Sequence, residues 1–525
     1  MSDLRTAAAP SVGPGQILPF AATRHPDKIG LVVGDSRLTY RELDRLSDNV
    51  AASLRAGGIG TGDVVSLYGQ NSWQWIVSYH GALKAGAVVN PVNVMLTGPE
   101  LAYVLGDCGA KAVFAGPDQA GTVSGALDSV ASVDLFCVFG RSDASAPEGA
   151  VPWDDFLASA AGSTAVSAPD VAPKDLCCIG YTSGTTGHPK GAMQSHQSVL
   201  LNCALTATMH GRGVDEIVVT ALPAAHVYGN VAINSTFLAG GTVVLMERFD
   251  AAHALHLIAT EHATLFEGVP AMYSMMLADP AFETADVTSL RKSTIGGQTF
   301  SPSLAERWQA RVAGPVLELW GMTEIAGLGT THSVFAPPVL GSIGVSLPGT
   351  EIKIAPIDGG AGEVPVGTPG ELVVRGPLVM LGYHGRPDAT AEVLGADGWL
   401  RTGDVAYVDD TGHFFVVDRL KDMILTAGYN VYPAEIERVI SSHPQVTMVA
   451  VGKRPDEVKG EVAVAYVVTA AGSDLDAAAV LEFCRERLAA YKRPRDVVFV
   501  DALPTTSSGK LMRRKLTELD HAISR

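Results

Sequence analysis

Apolar positions between residues 40 and 56 recur at Leu43, Leu46, Val50 and Leu54. That spacing predicts one amphipathic helix, stopped by Gly57-Gly58. Beyond it the chain alternates short apolar runs with helical stretches. Val64–Tyr68, Ala87–Asn90 and Lys111–Ala115 read as buried strands; Ser72–Ala85, ending near Gly86, and Pro99–Leu105 read as helices. Such alternation predicts a parallel sheet covered by helices. Residues 140–172, rich in Ala, Ser, Pro and Asp, read as a surface connection. The alternation resumes from residue 218, with strands at Thr242–Met246, Leu265–Val269 and Ser293–Gly296, and predicts a second parallel sheet. Residues 340–418 differ. Glu351–Ala355, Glu371–Arg375 and His413–Val417 are short strands separated by Gly/Pro turns, the pattern of a small β-barrel. A boundary is expected at Asp418-Arg419-Leu420-Lys421. After it, Pro433–Ser442 and Ser473–Leu488 read as helices, the second with Ser473 as N-cap and Asp474 and Asp476 in its first turn. The expected fold is therefore α/β. A large N-terminal domain, residues 1–418, has two parallel sheets with helices plus a small β-barrel, and residues 419–525 form a small α+β C-terminal domain.

Composition narrows the function classes. A chain of 525 residues is too long for one simple core, and 47% hydrophobic against 18% charged residues excludes disorder. Mean hydropathy is positive, yet no apolar run reaches the roughly eighteen residues of a membrane span. Met1–Gln16 lacks a basic segment followed by an apolar core, so no secretory signal is read and a cytoplasmic location is expected. The six cysteines (Cys108, Cys137, Cys177, Cys178, Cys203, Cys484) show no Cys-x-x-Cys spacing and read as small buried hydrophobes rather than zinc ligands or disulfides. A net charge of −17 argues against nucleic acid as a partner. That charge is uneven. Residues 419–525 hold 16 Lys/Arg and 14 Asp/Glu, leaving −19 on the remainder. A slightly basic tail on an acidic body suits a cap that meets anionic ligands, and equally suits ordinary surface variation.

The chemistry concentrates in Tyr181-Thr182-Ser183-Gly184-Thr185-Thr186-Gly187-His188-Pro189-Lys190-Gly191. Hydroxyls, flexible glycines and a lysine in one run can wrap a polyphosphate with N–H groups, O–H groups and a point charge. The apolar Leu176–Ile179 before it and the helix-opening Ser195–Leu201 after it predict a strand, a phosphate loop and a helix. Pro189 before the lysine and Gly191 after it exclude a Walker A loop. Further candidates are Gly296-Gly297-Gln298-Thr299, following one strand, and Trp320-Gly321-Met322-Thr323-Glu324, following another at Val316–Leu319. Trp399-Leu400-Arg401-Thr402-Gly403-Asp404 and the Gly509-Lys510 pair of a hydroxyl-rich loop near the C-terminus complete the set.

Taken in this order, over roughly residues 25 to 515, these motifs resemble the adenylate-forming (AMP-binding) superfamily, of the acyl- or aryl-CoA synthetase type. The resemblance implies ATP, Mg²⁺ and coenzyme A as cofactors and a small-molecule carboxylic acid as partner. It assigns Thr182, Ser183, Gly184, Thr185, Thr186, Gly187 and Lys190 to the phosphates of ATP. Gly297, Gln298, Thr299, Trp320, Gly321 and Met322 would lie along the nucleotide, with the Trp320 ring on adenine, and Thr323 would bind phosphate. Glu324 would hold Mg²⁺, Asp404 would accept hydrogen bonds from both ribose hydroxyls, and Arg419 would add a ribose or phosphate contact. Lys510 would bridge the carboxylate and the α-phosphate, with His226 beside the carboxylate. Tyr228, Gly229, Asn230, Gly296 and Ile325 would line the acyl pocket, which carries no charge and so favours a monocarboxylate with an apolar or aromatic body. Lys421 would be the hinge of a mobile C-terminal domain, and Gly428 would sit at the tunnel for pantetheine.

The activity implied is an ATP-dependent acid–thiol ligase that makes acyl-AMP and pyrophosphate, then acyl-CoA. An amide ligase, in which an amine captures the adenylate, shares the same motifs and remains the alternative. Oligomeric state stays open, a homodimer being one option.

Overall fold

The structure is a computed structural model that describes residues 13–140, 147–159, 169, 171–182, 188–298, 300, 302–360, 362–427, 429–456, 458–470, 472–504, 511–516 and 519. Ser183, Gly184, Thr185, Thr186, Gly187, Thr299, Gly428 and Lys510, all expected site residues, lie outside the described residues.

Local signals fix the early helices as expected. Thr39 and Glu42 form a reciprocal capping box at the start of Tyr40–Ala56, and Gly57 closes it. Ser72 caps Trp73–Ala85, which ends on Gly86 at φ 88°, a conformation that favours glycine. Among the described residues the strands make four sheets, of nine, eight, four and five strands. The nine-stranded sheet is parallel through Val316–Met322, Lys292–Ile295, Leu265–Gly268, Ile217–Thr220, Thr242–Leu245 and Ile29–Val33, with antiparallel strands at both edges. One edge is the early hairpin Ile29–Val33 and Ser36–Thr39, which crosses from the N-terminal segment to complete the second sheet. The eight-stranded sheet is parallel through Leu176–Thr182, Val88–Pro91, Val64–Tyr68, Ala110–Ala115, Leu135–Val138 and Val151–Pro152. No described helix is long and apolar enough to cross a membrane, and all six cysteines are buried and free.

Four local expectations change. Leu176–Thr182 is followed first by an antiparallel partner, Lys190–Ser195, that the sequence did not announce, and the expected helix then starts at His196, capped by Ser195. The candidate loop therefore joins two strands of a hairpin at the edge of the sheet. The strand at Val316 runs on to Met322, through the Trp-Gly-Met positions, before a short 3-10 turn at Thr323–Ile325. The β-barrel resolves as a four-stranded antiparallel sheet, whose last strand is extended by backbone bonds between Phe414 and residues 343 and 344. The last long helix begins at Ala477, with Asp476 rather than Ser473 as its N-cap. Asp476 accepts the Ala479 N–H, while the Ser473 hydroxyl accepts from the N–H of Leu475, ahead of the helix.

The elements that carry the candidate site are labelled as follows. Helix α1 is Gly98–Asp107, strand β1 is Leu176–Thr182 and strand β2 is Lys190–Ser195. Helix α2 is Val227–Leu238, strand β3 is Val316–Met322 and strand β4 is Gly382–Tyr383. Helix α3 is Pro387–Val393, strand β5 is Leu400–Val408, strand β6 is Phe414–Arg419 and helix α4 is Pro433–Ser441. Strand β4 pairs with β2, Gly382 opposite Met193 and Tyr383 opposite Ala192, so residues far apart in the chain share one sheet edge.

Candidate active site

Thr182 and Lys190 face each other across the open end of the β1–β2 hairpin. The hairpin rests on the end of β3. A Cβ at Gly180 would lie 2.6 Å from the Thr323 methyl group, so only glycine allows that approach, and Gln194 donates to the Thr323 carbonyl at 2.9 Å. These contacts bring the two strands that carry Thr182 and Lys190 against the Thr323-Glu324 pair, 129 residues beyond Gln194 in the chain.

Tyr383 closes the group. Its hydroxyl donates to Oε1 of Glu324 at 2.9 Å, and its ring lies 5.3 Å below the Lys190 ammonium. Lys190 also stands 4.0 Å from Glu392 of α3. Burial pushes the Glu324 carboxyl above its ordinary pKa. The Tyr383 hydroxyl and the nearby Arg419 charge pull it partly back, and Asp404 adds to the rise. Burial likewise raises the Tyr383 phenol, with the adjacent Glu324 charge reinforcing it. Ala326, next in line, holds φ at 56°, a left-handed turn that costs a non-glycine residue roughly 1–2 kcal/mol and is stored here beside the carboxylate.

Asp404, on β5, is 2% exposed and lies between Trp320 and Arg419. The Trp320 indole N–H donates to its Oδ2 at 2.8 Å, and Arg419 Nε meets its Oδ1 at 2.5 Å. Arg419 is its cross-strand neighbour on β6. The ion pair is thus largely covered on the acid side, not a solvated surface pair. Each oxygen has a partner, so the carboxylate ties three strands together. Lys421 is exposed, in the turn where the N–H groups of Asp422 and Met423 both reach the Arg419 carbonyl.

Packing constrains several of the acyl-pocket candidates and the nucleotide candidate Gly321. A Cβ on Gly229 would run into the Pro223 carbonyl, on Gly296 into the Leu319 side chain, and on Gly321 into the Gly327 carbonyl. Ile325 is fully covered. The Tyr228 hydroxyl is buried against Thr294 Oγ1 at 3.3 Å, and Asn230 Oδ1 accepts from Tyr79 at 3.4 Å. Gly297 is exposed at φ 89°, and Gln298 is exposed beside it. His226 is exposed and caps α2, its Nδ1 accepting the Tyr228 N–H at 3.2 Å, which leaves Nε2 as the proton-bearing nitrogen of the neutral ring.

Tyr383, Gly180, Asp107, Tyr103 and Arg386 were not singled out from the sequence. The signal for Tyr383 was an aromatic between two glycines, Gly382 and Gly385, both at positive φ. For the others no local pattern existed, because their partners lie far away in the chain. Among the described residues no group of three or more His, Cys, Asp or Glu side chains is arranged to hold a metal. One buried carboxylate, Glu324, suits Mg²⁺, which is held mainly by substrate phosphates and water with one or two carboxylates.

A family model described as AMP-binding enzyme matches residues 18–384, and one described as AMP-binding enzyme C-terminal domain matches residues 435–510. The chain is 41% identical to a feruloyl-CoA synthase of an Amycolatopsis species, over 91% of this chain and 93% of that protein. It is 36% identical to an indoleacetate–CoA ligase of Aromatoleum aromaticum, over 94% and 95% of the two chains. The crystal structure of the anthranilate CoA ligase AuaEII in complex with anthranoyl-AMP superposes with a TM-score of 0.91 at 25% identity, covering 98% of this chain and 99% of that one.

Proposed function

The chain belongs to the AMP-binding enzyme family, and from that premise we propose an ATP-dependent acid–CoA ligase acting on a monocarboxylate with an apolar or aromatic body. The observation that carries the reading is the arrangement around Tyr383, where a phosphate-seeking cation, Lys190, and a buried carboxylate, Glu324, meet on one aromatic ring. In the first half-reaction a carboxylate oxygen attacks the α-phosphorus of ATP and the bond to pyrophosphate breaks. In the second the CoA sulfur attacks the acyl carbon and AMP leaves. Two anions must approach in the first step, so positive charge and N–H donors at the phosphates lower its barrier most. Thr182, Lys190 and Thr323 hold the phosphates, with residues 183–187 completing the cradle. Bound Mg²⁺ would be held by Glu324 and would neutralise phosphate charge. Asp404 takes the ribose hydroxyls through its remaining lone pairs. Trp320 lies along the base, and Arg419 is close enough to serve sugar or phosphate. Lys510 carries the charge developing between carboxylate and α-phosphate.

The C-terminal part, residues 419–525, turns about Lys421 to exchange one half-reaction for the other. A cavity of about 150 Å³ there is lined by Tyr491, Lys459, Arg493 and Arg495, beside the 426–431 hairpin that precedes and follows Gly428. Its cations suit the phosphates of CoA and support a thiol rather than an amine as acyl acceptor. The relatives named for feruloyl, indoleacetyl and anthranoyl acids support an aromatic acid as the first class to try. Pyrophosphate release is to be followed over a panel of aromatic, aliphatic and dicarboxylic acids, with CoA and with amines. Release with an aromatic monoacid followed by CoA-dependent discharge is expected. Discharge by amines and not by CoA would replace the thioester reading with an amide ligase.

A further inference from the structure

Helix α1 ends at Asp107, whose side chain is only 10% exposed and receives partners from two directions. From β1, the Tyr181 hydroxyl donates to Oδ2 at 2.6 Å. From the turn between β4 and α3, Arg386 donates to Oδ1 at 2.7 Å. One turn earlier on α1, Tyr103 accepts from the same Arg386 nitrogen at 3.1 Å. The Tyr103 ring stacks on His188 at 4.4 Å between centroids, and its hydroxyl reaches the Pro189 carbonyl at 3.4 Å. Tyr181 immediately precedes Thr182, and Pro189 immediately precedes Lys190. Both strand ends that flank residues 183–187 are therefore tied to one helix.

The ring closes on the other side. The N–H groups of Leu381 and His384 bond to the carbonyls of Met193 and Gly191 on β2, and Arg386 starts α3, which carries Glu392. Going round, Asp107 holds β1, β1 pairs with β2, β2 pairs with β4, and Arg386 returns from β4 to Asp107. A tie needed only for stability could link α1 to either strand alone. This one spends a single covered carboxylate on both sides of the strand pair that bears Thr182 and Lys190. Charge-assisted bonds are the strongest available for that purpose.

We propose that Asp107 is a positioning residue for ATP: through Tyr181 and Arg386 it sets the separation and direction of Thr182 and Lys190, and so the fit to a triphosphate. The inference rests on the assignment of those two residues to ATP. Asp107→Asn keeps the size of the side chain and weakens both bonds, while Tyr181→Phe removes one hydroxyl and little else. ATP affinity by calorimetry, KM for ATP, acid and CoA, and Tm are the readouts. Asp107→Asn is expected to weaken ATP binding about tenfold or more, with acid and CoA KM within about twofold of wild type. Tyr181→Phe should weaken ATP binding about threefold, and the double variant should be no worse than Asp107→Asn, because the two share a bond. Unaltered ATP affinity in Asp107→Asn, whatever its Tm, overturns the proposal. If Asp107→Asn does not fold, Tyr181→Phe decides by the same measure. A wild-type protein that binds no ATP would instead sink the underlying assignment.

Discussion

The Trp320 indole N–H donates to Oδ2 of Asp404 at 2.8 Å across 84 residues of sequence. Both side chains are buried, and Arg419 occupies the other oxygen of the same carboxylate. A residue read as a ribose acceptor is thus also the knot between β3, β5 and β6. Asp404→Ala would leave a buried indole N–H without its acceptor, a cost of about 1–3 kcal/mol. The variant should lose ATP affinity and Tm together, whereas Asp404→Asn, which keeps an acceptor oxygen, should retain most of the Tm and lose mainly affinity. Thermal melts beside ATP titrations separate the two. Wild-type ATP affinity in Asp404→Asn would mean the carboxylate serves packing alone.

Lys510→Ala should lower adenylation by about 10²–10³-fold, the usual effect of deleting a charge opposite a developing anion. Thioester formation from supplied acyl-AMP should stay near wild type, since the second half-reaction needs no such charge. Single-turnover assays of each half-reaction check this. Equal losses in both would remove Lys510 from its assigned step.

Tyr383→Phe deletes a donor to Glu324. That hydrogen bond favours the ionised carboxylate, whose pKa burial already raises. Without it the pKa rises further, so activity that requires the carboxylate should fall off at a higher pH on the acid side, and the apparent demand for Mg²⁺ should increase. A kcat/KM profile from pH 5 to 9 at several Mg²⁺ concentrations tests both. An acid limb that does not move would show that the Glu324 charge is not rate-determining.

Glu318 offers a stability test away from the chemistry. Burial pushes its carboxyl from an ordinary 4.5 up to about 7, against the opposing help of the Gly341 N–H at 2.7 Å. Because the folded pKa lies above the unfolded one, its contribution to stability is complete below about pH 4.5 and is lost as pH rises through about 7. Glu318→Gln, which keeps the acceptor and drops the charge, should raise Tm by roughly 2–4 °C at pH 8. The gain should shrink steadily below pH 7 and be gone below about pH 4.5. A pH-independent difference would trace the effect to packing instead.

Several residues of the proposed site are legible in the chain because they fall in short contiguous runs. The hydroxyl- and glycine-rich run, Thr323-Glu324 and Thr402-Gly403-Asp404 each group their candidate side chains within a few residues. The early helices were equally legible, since the Thr39–Glu42 capping box and the Gly86 stop act within one turn. Pairing was not. Nothing near residue 29 announces that Ile29–Val33 will join the sheet built from residues 217–346, and Lys190–Ser195 folds back as a strand between Leu176–Thr182 and Gly382–Tyr383 before the expected helix begins. Backbone pairing between distant strands leaves no periodic trace in either partner.

The sequence by itself determined which chemistry the chain can carry, the alternation that makes its sheets, and the absence of a long apolar span. Only the tertiary structure decided that Tyr383 joins Lys190 to Glu324, that Gly180 must be bare for Thr323, and that Asp107 gathers Tyr181 and Arg386. The physical reason is range. Caps, turns and short polar runs act over a few residues, whereas these contacts depend on the register in which strands from distant parts of the chain meet.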